Sequence, residues 1–207
     1  MRKFLTGILF LIATISNSAQ AQEFEKGNVA IQLGFTLSDY NNYNRISSII
    51  FPLYATAEYA VHNYLSVGLM AHYFTKTYSK SGEEYNSSIP GYEYAMHWRI
   101  SQNYLSIGPR VAFLFTPFLN EVANTSIPDK LHLLAGVQFG LDYLKSTKEN
   151  EYKDYPTYSN TSSFGGPFIG CRYMFSDYVG AFAELGIGWT GHRNNTHFAA
   201  TGLAFNF

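Results

Sequence analysis

Apolar and polar residues alternate with a period of two through most of this chain, the pattern of β-strands whose two faces meet different surroundings. Over residues 28–38, Val29, Ile31, Leu33, Phe35 and Leu37 share one face, and Gln32, Gly34 and Thr36 the other. Residues 50–61 set Phe51, Leu53, Ala55, Ala57, Tyr59 and Val61 against Tyr54, Thr56 and Glu58. Residues 65–75 set Leu65, Val67, Leu69, Ala71 and Tyr73 against Ser66, Gly68, Met70 and His72. The same pattern recurs over 104–115, 131–143, 168–175 and 178–188, and from about His197 to the last residue. One face is nearly all apolar in each, while the other holds Gly, Ser, Thr, Gln and single charges. No stretch shows helical periodicity.

These segments predict an all-β fold of eight antiparallel strands. Their connections alternate in character. Residues 62–64 and 176–178 are tight turns, whereas 39–48, 76–103, 145–163 and 190–196 are longer and polar. Short turns at one end and long loops at the other mark a transmembrane β-barrel, with the turns periplasmic and the loops external. Eight strands leave an interior just wide enough for side chains to fill. Residues 92–100 also alternate, through Tyr92, Tyr94, Met96, Trp98 and Ile100, and counting them raises a ninth strand or an alternative total of ten. An even count makes this segment part of the second external loop or an extension of the fourth strand. The link over 116–130 is then an unusually long periplasmic connection.

The first 21 residues have the three-part layout of an export signal. Arg2 and Lys3 are basic, the following run is apolar and too short to span a bilayer as a helix, and Ala19-Gln20-Ala21 offers a cleavage site. Residues 22–207 then form one barrel domain. Loss of Arg2 and Lys3 takes Lys plus Arg from 14 to 12 against 15 acidic residues, a formal charge of −3. No basic surplus points to nucleic acid. The single cysteine, Cys171, has no partner for a disulfide within the chain and faces lipid by parity.

Glu58, Arg110, Arg172 and Glu184 fall on the inward parity and form a candidate lumen charge network. Arg172 lies opposite Phe182 across a three-residue turn and diagonal to Glu184, within reach of long side chains, so these two are expected to pair. Interior charges of this kind fit a plugged lumen; the alternative is a narrow polar path for ions or small solutes. His192, Asn194 and His197 lie near an external loop, but no nucleophile and base are spaced there for catalysis, and no third ligand for a metal. No cofactor site is expected. Tyr40, Tyr43, Tyr78, Tyr85, Tyr152, Tyr155 and Tyr158 lie in the polar connections among Asn, Ser, Lys and Glu, a composition suited to adaptable contacts with an extracellular ligand.

Residues 52–61 (PLYATAEYAV), 130–137 (KLHLLAGV) and 171–186 (CRYMFSDYVGAFAELG), with an aromatic terminal residue, resemble the small outer-membrane β-barrel proteins of Gram-negative bacteria, the OmpA/OmpX-like superfamily. The resemblance implies an outer-membrane location, contact with outer-membrane lipids, and recognition of Leu203, Phe205 and Phe207 by the assembly machinery. The resemblance is to a superfamily that includes structural and adhesive proteins and, with no catalytic set among the residues, the expected role is non-enzymatic and structural or surface-interacting. A narrow porin-like channel is the second reading and a lipid A-modifying enzyme the third. A soluble lipocalin-like carrier would need the inverse polarity, an apolar lumen and a polar exterior.

Overall fold

The computed structural model describes residues 26–38, 46–85, 93–150, 155–190 and 193–207. The expected signal at residues 1–21 lies outside the described residues. The strands are β1 (Val29–Ser38), β2 (Ile46–His62), β3 (Leu65–Tyr85), β4 (Glu93–Leu114), β5 (Leu131–Asn150), β6 (Tyr158–Met174), β7 (Val179–Thr190) and β8 (Arg193–Asn206). Each pairs antiparallel with its sequence neighbours, and β1 pairs with β8, so the sheet closes into an eight-stranded barrel. Closure leaves no row of unpaired backbone donors and acceptors, a condition for crossing hydrocarbon with strands. Among the described residues no helix is long and apolar enough to cross a membrane.

The two faces follow the period-two pattern. Leu33, Phe35, Leu69, Ile107, Val137, Phe139, Leu141, Ile169, Leu185, Ile187 and Leu203 project outward and are exposed. Gln32, Thr56, Glu58, Ser66, Arg110, Gln138, Asp142, Arg172 and Glu184 project inward and are buried. This polarity is the reverse of a soluble barrel's. Water would leave the outer belt exposed, whereas hydrocarbon matches it.

The register accounts for the prolines within the strands. Proline has no N–H to give a ladder. Pro109 pairs with Leu69 on β3 but lies where the β4–β5 pairing is interrupted, between Ile107 and Arg110. Pro167 pairs with Val137 on β5 and lies where the β6–β7 pairing is interrupted. Pro52 falls at the irregularity between Ile50 and Leu53 in the β2–β3 ladder.

One open placement is resolved and two features depart from the sequence reading. Residues 93–100 belong to β4, so of the two expected placements the extension of the fourth strand is the one adopted, and the count stays at eight. The strands at the loop end also run further than the alternation indicates. β3, β4 and β5 have 21, 22 and 20 residues, about twice the 9–11 that a spanning strand needs. Polar side chains there pair across the ladder, Thr75 donating to Asn103 at 2.7 Å and Thr77 meeting Ser101 at 3.0 Å. The apolar signal fades while the backbone ladder continues. Finally, the long link contains a helix, α1 (Phe115–Val122), which corrects the expectation of no helical segment.

Candidate functional site

The interior of the barrel gathers Glu58 from β2, Arg110 from β4, Arg172 from β6 and Glu184 from β7, each almost wholly buried. Arg110 is the hub. Its Nη1 and Nη2 donate to the two carboxylate oxygens of Glu184 at 3.1 and 3.0 Å, a bidentate fork of the kind that gives charge pairs fixed geometry. Its Nε forms an ion pair with Glu58 Oε1 at 2.8 Å. Glu58 Oε2 receives Arg172 Nη2 at 2.5 Å and the Ser66 hydroxyl at 3.0 Å. The phenol of Tyr54 accepts from Arg110 Nη1 at 2.6 Å and donates to Glu184 Oε2 at 2.8 Å. The guanidinium of Arg110 also lies over the Phe168 ring, 4.1 Å from its centroid. Two cations and two anions make the set formally neutral. Good geometry and extra donors offset the desolvation that buried charges suffer.

Small residues make room for these long side chains. Gly68 on β3 pairs with Glu58 on one side and Arg110 on the other. A Cβ at Gly68 would meet the backbone carbonyl of Ala57 and Cα of Glu58. Gly170 stands opposite Glu184, and a Cβ there would lie 2.7 Å from Glu184 Cγ.

Around the charges lie neutral and aromatic layers. Tyr54, Met70, Phe164, Met174, Phe182, Ala200 and Ala204 form an interior apolar cluster, with Phe198 packed against it. Towards the loop end, Thr36 shares a hydrogen bond of 2.7 Å with His72, and Ser106 donates to Asp142 at 2.9 Å. Lys76 is buried beyond them. At the turn end, His132 pairs in register with Arg172.

The hairpin register places Arg172 opposite Phe182, as the turn length predicts. The expected ion pair inside that hairpin is nevertheless exchanged for pairs across the lumen. Glu184 faces Gly170 and takes the fork of Arg110, while Arg172 reaches Glu58. In a narrow barrel a long side chain crosses the lumen as readily as it reaches a diagonal neighbour. Tyr54, Ser66 and Phe168 are the partners the sequence reading missed. Their inward parity was legible, but their roles depend on which strands face one another across the lumen.

The other candidate positions do not join this set. His192 lies outside the described residues, and Asn194 and His197 lie in β8, where only their backbone is described. Tyr40, Tyr43 and Tyr152 also lie outside the described residues. Cys171 is a free thiol on the outward parity, half-buried between neighbouring strands. Leu203 and Phe207 are exposed on the outer surface; Leu203 and Phe205 pair with Leu33 and Ile31 of β1. Phe207 and Val29 exchange two backbone hydrogen bonds of 2.9 Å. Among the described residues no group of His, Cys, Asp and Glu could hold a metal ion.

No protein-family model matches the sequence, and no curated protein matches it either. Solved structures share the fold. Ail, the attachment invasion locus protein of Yersinia pestis, in complex with the heparin analogue sucrose octasulfate, superposes with a TM-score of 0.52 at 11% identity, covering 88% of this chain and 99% of that one. The outer membrane protein OprG from Pseudomonas aeruginosa superposes with a TM-score of 0.51 at 13% identity, covering 92% and 99%. With its eight closed strands, apolar exterior and charged interior, the chain has the fold of the small outer-membrane β-barrels of the OmpA/OmpX-like kind.

Proposed function

We propose that this is a non-enzymatic outer-membrane protein with a largely plugged lumen and a structural or surface-interaction role. It would be exported by a cleaved signal at residues 1–21, held in outer-membrane lipid by its apolar belt, and recognised for assembly through Leu203, Phe205 and Phe207. The observation that carries the plug reading is the ion-pair set of Glu58, Arg110, Arg172 and Glu184, which ties four strands across the lumen. The aromatic cluster around Tyr54 and Phe182 supports the same reading. Planar-bilayer recording tests it: the folded protein is expected to leave the membrane without steady conductance, and a sustained ohmic current would overturn the plug.

Polar residues line the lumen beyond the charged set, at Gln32, Thr36, Thr56, Gln138 and Asp142. They favour the narrow channel as second reading, and the same recording separates the two. The surface role rests on the tall loop end. There Lys148 Nζ lies 4.5 Å from the Trp98 ring and 4.4 Å from the Tyr155 ring, a cation held between aromatics. The likeness to a barrel seen with a heparin analogue makes sulfated saccharide the first ligand class to test, and loss of heparin binding on Lys148→Glu is the expected result.

A further inference from the structure

We propose that α1 is a membrane-surface helix whose apolar face lies in the headgroup–acyl boundary of the leaflet at the turn end of the barrel. The proposal rests on the reading of the barrel as membrane-spanning. Phe115, Phe118, Leu119 and Val122 follow the spacing i, i+3, i+4, i+7, so they share one face of the helix. Phe115 and Val122 are 37% and 62% exposed despite being apolar. Asn120 and Glu121 point elsewhere, and Thr116 and Pro117 are buried.

The apolar face continues a surface already assigned to lipid. Phe113 is on the outward parity of β4, paired with Leu65 of β3 and Ala135 of β5. Its ring meets Phe115 and Phe118 edge-on, with centroids 4.9 and 5.4 Å apart. Phe118 also meets the edge of Tyr64 at 5.7 Å. The outer belt thus passes from Leu65 through Phe113 onto the helix without a polar break. Tyr173, Phe175 and Tyr178 stand at the same end of β6 and its turn, with Tyr173 and Phe175 edge to face at 5.8 Å. An aromatic girdle at the boundary is usual in these barrels.

The helix is held in this orientation. The Thr116 hydroxyl donates to the Leu131 carbonyl at 2.6 Å and accepts from the Leu133 N–H at 2.9 Å, fixing the first turn to β5. Asn124, with φ 50°, ends the helix in the left-handed conformation that Asn tolerates. The Asn120 side chain then binds Thr125 and Ile127 and folds the link back. Two turns of helix are too short to persist in water alone; contacts on both sides explain why this one forms. Amphipathic helices that leave apolar side chains exposed, as Phe115 and Val122 are here, partition into the interface plane.

The test uses the full chain carrying Cys171→Ser, with a single NBD label on Val122→Cys, Glu121→Cys or Val137→Cys, folded into phosphatidylethanolamine–phosphatidylglycerol vesicles and checked by heat-modifiable migration. The Val122 label is expected to emit to the blue of the Glu121 label, to resist iodide, and to be quenched most by lipids with a nitroxide near the headgroup. The Val137 label is expected to be quenched most by a deep nitroxide. Equal emission and iodide quenching at 122 and 121, with Val137 still in lipid, would overturn the surface helix alone. Iodide quenching at Val137 as well would overturn the membrane reading and the helix with it. Self-quenching at 122 that grows with the protein-to-lipid ratio would assign the face to a second copy of the chain, overturning the lipid assignment.

Discussion

The inner and outer surfaces of this barrel are made by alternate residues of the same strands, yet they solve opposite problems. Outward, Val137, Phe139 and Leu141 need only be apolar, because lipid adapts to any side-chain shape. Inward, Arg110, Glu58 and Glu184 must meet at bonding distance from three strands. At mid-membrane depth the outer surface tolerates any apolar residue but no charge. The inner surface accepts charge, provided that the charges pair and that glycine or alanine lies beside them. One-residue alternation therefore separates a region ruled by composition from one ruled by geometry.

The comparison breaks most sharply at the hub. Arg110→Met leaves two buried carboxylates and the Tyr54 phenol without their common donor. It should destabilise the folded barrel by about 3–5 kcal/mol, the range for breaking a buried pair, in a urea titration followed by heat-modifiable migration. Arg110→Met combined with Glu184→Gln should cost less than the sum of the two; strict additivity would separate Arg110 from Glu184.

The outer surface gives the next effect. Val137→Arg should cost about 2–4 kcal/mol at mid-membrane, while Tyr143→Arg, on the same face of β5 nearer the loop end, should cost only about 0–1. Equal costs at the two positions would remove the depth profile on which the membrane reading depends.

A smaller change tests geometry without charge. Gly68→Ala adds one methyl between Glu58 and Arg110, where the carbonyl of Ala57 already stands. Overpacking of this kind costs about 1–3 kcal/mol. Ala135→Val on the outer face adds more volume and should be nearly silent in the same titration. A comparable effect is expected at α1, where two bonds are lost together. Thr116→Val removes the hydroxyl shared by Leu131 and Leu133 and should cost roughly 0.5–1.5 kcal/mol per lost bond, read as the shift in urea midpoint.

Alternation made the strands and their faces legible because a period of two is a local property. Every inward member of the charged set could be named from parity alone. Which of them meet could not, because contacts across the lumen depend on the stagger of all eight strands. Glu184 faces Arg110 through the closure of the barrel, not through any spacing in the chain. The tall loop end was read too short for a different reason. Around Thr75, Thr77, Ser101 and Asn103 both strand faces are polar, so alternation vanishes while hydrogen bonding persists. α1 was missed because eight residues with Pro117 in the first turn fall below the length at which helical periodicity stands out. Its apolar spacing at 115, 118, 119 and 122 was the available signal.

The seam between β1 and β8 has a kinetic consequence. Val29 and Phe207 exchange backbone hydrogen bonds from opposite ends of the described chain, which gives the fold a high contact order. Hairpins such as β6–β7 have their turns in hand and need little loop closure, whereas β1 has to wait for the last strand before its free edge is covered. Non-local pairing of this sort slows folding. Until the seam zips, the barrel is an open sheet with two adhesive edges, and the time spent in that state sets the window for aggregation.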